Sequence, residues 1–207
     1  MRVHPAFEPA LSSRRVLVVG VGGLGCHAAL VLARAGVGIL GLVDPDPVEL
    51  SNLHRQLLYD SSDLGRPKVT VAAERLRRLM PGLRVETWRE RFGPDHATVL
   101  RGFDCLVDGT DTVAAKFVLN DAAVAARVPL VHAGVLGPLV ALAGALQGAE
   151  VIRLLTGAAP AWANRLLRID AWTGSWRTVP LARNVRCATC HAGSQLEPVH
   201  NGRSEGP

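Results

Sequence analysis

The order of the apolar runs predicts a doubly wound α/β domain, with a mainly parallel sheet and an antiparallel hairpin near its C-terminal end. Short apolar runs, too brief for helices, alternate with longer stretches of helical period. The first of these runs empties into a glycine loop, Gly20-Val21-Gly22-Gly23-Leu24-Gly25, and two late extended runs flank Thr173-Gly174.

Residues 1–13 hold two prolines and no periodicity, so a loosely ordered lead is expected there. Arg15 to Val19 reads as a buried parallel strand. Cys26 to Ala35 is a helix stopped by Gly36 and Gly38, and Ile39 to Val43 is the second strand. Together they form a βαβ unit with a right-handed crossover. Pro67 to Leu79 reads as a helix with proline in its first turn and Pro81-Gly82 at its end, followed by a strand over Arg84 to Trp88. A short helix over Pro94 to Arg101, a strand over Asp104 to Val107, a helix over Thr112 to Ala126 and a strand over Leu130 to His132 continue the alternation. Pro138 to Leu155 is a long apolar helix. Arg165 to Trp172 and Ser175 to Leu181 form the hairpin. One domain over 14–194 and a polar, disordered tail over 195–207 complete the chain.

A chain of 207 residues buries roughly two-thirds of its unfolded surface and needs no staples. Hydrophobic residues make up 48% and charged residues 20%, an ordinary globule, while 4% aromatic residues exclude a stacking platform for nucleic acid. The formal charge of +5 is carried by scattered arginines (Arg75, Arg77, Arg78, Arg89, Arg91, Arg183), a solvated surface that would also steer an acidic protein partner. The longest apolar run, Gly134 to Leu146, is too short to span a bilayer. Four cysteines, Cys26, Cys105, Cys187 and Cys190, with no secretory leader ahead of them, fit a reducing cytoplasm.

A strand running into glycines and then a helix lets backbone N–H groups approach phosphate. Alone, Gly20, Gly22 and Gly25 fit a nicotinamide-dinucleotide fingerprint with Asp44 at the ribose, or simply a tight turn. Ser51-Asn52-Leu53-His54-Arg55-Gln56 follows the second strand, at the sheet edge where such folds hold ligands. From there the Arg55 guanidinium reaches phosphate oxygens as a bidentate donor, and Lys68, in Gly65-Arg66-Pro67-Lys68, adds a point charge. Asp108-Gly109-Thr110-Asp111-Thr112 stands at the next carboxyl edge; Asp108 reads there as a turn or cap residue. Cys26 and Cys105 fall in a helix and a buried strand and read as small packing residues.

Asp44-x-Asp46, then Asn52-Leu53-x-Arg55-Gln56, then Gly65-x-Pro67-Lys68, all behind Gly20-x-Gly22-Gly23-Leu24-Gly25, resemble the ThiF/MoeB/HesA superfamily, the ubiquitin-activating-type adenylating enzymes. The resemblance implies a Rossmann-like fold and ATP-dependent adenylation of the C-terminal carboxylate of a small ubiquitin-like or sulfur-carrier protein ending in Gly-Gly. It implies that Gly23, Ser51, Asn52, Arg55 and Lys68 contact ATP, that Asp44 holds the ribose hydroxyls, and that Asp111, beside Thr112, stands near Mg²⁺. Arg55, Lys68 and Asp111 become the catalytic candidates, with Gly20, Gly22, Gly25, Asp46 and Gln56 in the nucleotide site. A homodimer is implied as well.

The chain departs from the family pattern in several places. It reads Gly109-Thr110-Asp111-Thr112 where Cys-Thr-Asp-Asn is common, and Lys116 stands where an arginine is usual. An Arg-x-x-Arg-Gln helix at the front has no match, and several tens of residues are absent around Ala133-Gly134, with the first Cys-x-x-Cys pair of a zinc site and the region of a catalytic cysteine. Cys187 and Cys190 thus supply two of the four ligands Zn²⁺ takes, and His191, His200 or a second subunit would have to complete the set. Two other readings follow: a degenerate nucleotide-binding scaffold without adenylation activity, and an NAD-dependent oxidoreductase.

Overall fold

Strand β1 (Arg15–Val19) lies at the middle of a five-stranded, wholly parallel sheet ordered β3-β2-β1-β4-β5, with β2 (Ile39–Val43), β3 (Arg84–Trp88), β4 (Cys105–Asp108) and β5 (Leu130–His132) around it. The computed structural model describes residues 8–93, 96–134, 139–182 and 184. The strands are short and apolar because helices cover both faces. Val16 and Val18 point into one core layer with α2 (Gly23–Arg34), α3 (Lys68–Leu79) and α6 (Val140–Leu155). Leu17 and Val19 point into the other, with α4 (His96–Leu100) and α5 (Val113–Ala126). The sheet order reverses between β1 and β4, which opens a crevice at their carboxyl ends.

Helices α2 and α6 meet along one flank, where a Cβ at Gly144 would stand 2.5 Å from the Leu24 carbonyl oxygen. This close contact seats α6 beneath the glycine loop. The hairpin β6 (Arg165–Asp170) and β7 (Ser175–Pro180) pairs antiparallel as a sheet of its own, largely in solvent, with Trp172 98% exposed at its turn.

Several boundaries differ from the sequence reading. Helix α2 starts at Gly23 rather than Cys26, because the glycine loop itself turns into the first helical turn, and Pro67 is the N-cap of α3 rather than part of its first turn. Residues 8–13, expected within a loose lead, include the helical turn α1 (Glu8–Leu11): Leu11 is wholly buried and its carbonyl accepts the Arg14 and Gly38 N–H groups (2.9 and 3.1 Å). Cys187, Cys190, His191, His200 and the 195–207 tail lie outside the described residues, as does Pro138. Among the described residues no helix is long and apolar enough to cross a membrane.

Candidate functional site

The glycine loop is a knot of backbone. Gly20 adopts φ +84°, which L side chains rarely do, and a Cβ at Gly25 would lie 1.8 Å from the Gly20 carbonyl oxygen. Gly25 therefore brings α2 against the loop and does not itself face the crevice, whereas Gly20, Gly22 and Gly23 do. Asp44, at the end of β2, fastens the loop from the side: one carboxylate oxygen accepts the Val21 N–H (2.7 Å) and the other the Asp46 N–H (2.9 Å). Burial lifts the Asp44 carboxyl above its ordinary range; the two N–H groups and Lys68 pull the other way without cancelling it.

The β2–α3 connection carries the cations. Arg55 donates to the Ser51 carbonyl (3.1 Å) and to Asn52 Oδ1 (2.9 Å), both uncharged, while Asn52 is steadied by Glu49 (3.1 Å). Its charge is left without a carboxylate partner among the described residues. Lys68 is buried; its ammonium lies 3.2 Å from Asp46 Oδ2 and its backbone N–H donates to the Asp46 carbonyl (3.0 Å), so Asp46 orients Lys68 twice over. Gln56 is 3% exposed and its Oε1 has no donor among the described residues. Ser51, expected to contact nucleotide, stands outside the crevice in solvent, its hydroxyl 3.4 Å from Glu49.

Opposite, the end of β4 holds the turn that the sequence suggests and a buried charge cluster besides. Asp108 is completely buried and its carboxylate takes four hydrogen bonds: from Lys116 Nζ (2.6 Å), His132 Nδ1 (2.9 Å), and the Thr110 N–H and hydroxyl (2.9 and 2.6 Å). Burial alone would raise this carboxyl. The bonds from His132, Lys116 and Thr110 outweigh it and hold Asp108 below the usual carboxylate range. Gln147 of α6 donates to the Asp108 carbonyl (2.7 Å), so strand, loop and helix are tied together. Three positions further on, Asp111 is exposed and has no hydrogen bond of its own among the described residues, and Thr112 caps α5 through the Ala115 N–H (3.3 Å).

One cavity of about 610 Å³ at the carboxyl ends of β1, β2 and β4 collects these groups. Arg55, Lys68 and Asp111, the three catalytic candidates, all line it, as do Asp44, Asp46, Asn52, Gln56 and Thr112. It also admits Arg91, Phe92 and Lys116, to which the sequence reading gave no part in the site. The usable signal for Arg91 and Phe92 was their place just past the edge strand beside β2. For Asp108 it was an acid closing an apolar strand, with lysine and histidine within reach on the next two elements. Cys26 and Cys105 are buried thiols, both pushed up to about 12 by burial, and Cys26 donates to the Val21 carbonyl (3.1 Å) that Tyr59 also binds (2.8 Å). They pack, as the sequence suggests.

The ThiF family profile matches residues 2–137. The sulfur carrier protein adenylyltransferase of Thermus thermophilus is 35% identical over 234 aligned positions, covering 91% of this chain and 86% of that protein. That alignment is longer than the 207 residues of the chain, so the relative carries residues that interrupt the match. The adenylyltransferase and sulfurtransferase MOCS3 of Culex quinquefasciatus is 36% identical, covering 90% of this chain; the chain spans about half, 52%, of its length. Among solved structures, E. coli MccB with MccA-N7isoASN superposes with a TM-score of 0.80 at 21% identity, covering 89% of this chain and 68% of that one, a likeness of fold.

Proposed function

This chain belongs to the ThiF family, and from that premise we propose that it adenylates the C-terminal carboxylate of a small sulfur-carrier or ubiquitin-like protein, using ATP and releasing pyrophosphate. The observation that carries this reading is the convergence of the glycine loop, Arg55, Lys68 and Asp111 on one shared cavity.

A carboxylate oxygen of the carrier attacks the α-phosphorus, a carboxyl–phosphate anhydride bond forms, the bond between the α-phosphorus and its bridging oxygen breaks, and pyrophosphate leaves with that electron pair. A C-terminal carboxylate is already ionised at neutral pH, so no base is required. The task is to bring two anions together, and fixed positive charge in a partly enclosed site does this without reorganisation. Arg55, whose guanidinium has only neutral partners, offers its charge to the triphosphate; Lys68, steered by Asp46, adds a second. The glycine loop and the start of α2 present backbone N–H groups to phosphate. Asp44 retains lone pairs for the ribose hydroxyls, and the open Oε1 of Gln56 accepts a donor from the nucleotide.

Mg²⁺ fits the acid opposite. It is held through few carboxylates alongside substrate phosphates, and the Asp111 carboxylate is exposed and unengaged at the cavity rim. When bound, the ion withdraws charge from the phosphoryl oxygens. A cytoplasmic homodimer completes the proposal. It is supported by the unpaired thiols of Cys26 and Cys105 and by the open apolar face of α5 at Val113 and Phe117, which a second subunit would cover.

The test is carrier-dependent ATP–pyrophosphate exchange with sulfur-carrier proteins ending in Gly-Gly. Exchange that requires both Mg²⁺ and the carrier is the expected result. ATP binding without exchange for any carrier points to a scaffold instead, and tight NADH binding that ATP does not compete away points to an oxidoreductase.

A further inference from the structure

Lys116 lines the same cavity as Arg55 and Lys68, yet its bonding is of another kind. An ammonium has three N–H donors, and all of those on Lys116 are taken by protein oxygens: Asp108 Oδ2 at 2.6 Å, the Ala133 carbonyl at 2.7 Å and the Thr110 carbonyl at 3.0 Å. Its charge faces a wholly buried carboxylate. Thr110 is consequently gripped from both sides, its N–H and hydroxyl by Asp108 and its carbonyl by Lys116. The next residue, Asp111, has no bond of its own among the described residues, so the backbone on either side sets where its carboxylate stands. The Ala133 carbonyl, at the end of β5, is drawn into the same unit, next to Gly134 on the cavity wall.

We propose that Lys116 is a positioning residue of the adenylation site. It holds the Thr110–Thr112 backbone so that Asp111 meets the metal–triphosphate, and it does not bind phosphate itself. The inference rests on the adenylation reading. A group that orients a metal-binding residue from behind costs roughly ten- to a hundredfold in activity or metal affinity when removed.

The test compares the wild type with Lys116→Met, with Lys116→Arg, and with Arg55→Ala as the reference for lost phosphate contact. Three quantities are read: ATP affinity by calorimetry in EDTA and in Mg²⁺, the Mg²⁺ concentration giving half-maximal exchange, and hydrogen exchange of the Thr110 amide, which Asp108 binds, in the nucleotide-free protein. Lys116→Met is expected to bind ATP in EDTA as the wild type does, to need about tenfold more Mg²⁺ for exchange, and to exchange the Thr110 amide faster. Lys116→Arg, which keeps charge and donors, recovers part of each loss.

Loss of ATP affinity in EDTA matching that of Arg55→Ala overturns the proposal by making Lys116 a phosphate ligand. An unchanged Mg²⁺ requirement, with or without faster amide exchange, overturns it by leaving only a structural part. Should Lys116→Met fail to fold, Thr110→Val removes one grip alone and must raise the Mg²⁺ requirement in the same direction. A wild type without any exchange activity defeats the adenylation reading and this inference with it. A wild type that exchanges beside a Lys116→Met variant with normal Mg²⁺ dependence defeats only the inference.

Discussion

Asp44 and Asp108 close two strands that flank β1 and both are buried, Asp44 on the cavity wall and Asp108 behind the Gly109–Thr112 turn that lines it, yet their carboxyls are shifted in opposite directions. Asp44 meets two backbone N–H groups and no cation at hydrogen-bond distance, so burial prevails and its carboxyl titrates above the ordinary aspartate range. Asp108 is buried more deeply but receives Lys116, His132 and Thr110, and titrates below that range. Burial sets the cost of ionisation, and the charge of the partner decides who bears it. The same contrast separates the cations. Arg55 has neutral partners and an open charge, whereas Lys116 has a buried counter-ion and no free donor. One wall is therefore free to act on a ligand, and the other, Asp111 apart, is spent on holding the fold around it.

That division has measurable consequences, the largest on the open wall. Arg55→Ala is expected to cut carrier-dependent exchange by about a hundred- to a thousandfold, while calorimetric melting moves by no more than about 0.5 kcal/mol. An Arg55→Ala protein with wild-type exchange would break the comparison at once.

On the closed wall the loss falls on stability. Asp108→Asn leaves Lys116 without its counter-ion; because that lysine is a quarter exposed, a cost of about 2 kcal/mol is expected in urea unfolding rather than that of a sealed pair. Asp108 is held below its unfolded value, so its contribution is complete above about pH 4 and fades as pH falls through the folded value. The gap between wild type and Asp108→Asn should therefore narrow in acid. A gap that is constant with pH contradicts the ion pair.

Asp44→Asn is a smaller perturbation of the open wall. Weaker ATP binding by about tenfold is expected at neutral pH. Wild-type affinity should fall as acid protonates Asp44, starting above the range of an ordinary aspartate because its carboxyl is raised. Equal pH profiles for the two proteins would assign the ribose contact elsewhere. The smallest effect belongs to Cys26→Ala, expected to cost about 1 kcal/mol of stability and to keep exchange activity, since a thiol at about 12 that donates to Val21 is no nucleophile.

Much of the open wall was legible before the fold was seen, because glycines, cations and acids at fixed spacing after apolar strands are features of local chain. Gly20, Gly22, Gly23, Asp44, Asn52, Arg55 and Lys68 all come to the cavity. Ser51 does not, since one turn of 3₁₀ helix (Leu50–Asn52) rotates it outward while burying Asn52 beside it. The closed wall was legible only in part: Asp111 and Thr112 come to the cavity and Asp108 accepts the Thr110 N–H as a turn residue does, but its charged partners were not foreseen. An aspartate before Gly-Thr has the local marks of a turn, and nothing nearby in sequence announces a lysine eight residues away and a histidine 24 residues away as its partners.

The sequence by itself determined the parallel α/β class, the strand positions, the glycine loop and the family, because apolar periodicity and short-range spacing survive without knowledge of what packs on what. Only the tertiary structure decided which charges are open and which are consumed. That difference depends on three strand ends and a helix start meeting around Asp108, and a buried charge takes its state from neighbours that are distant along the chain.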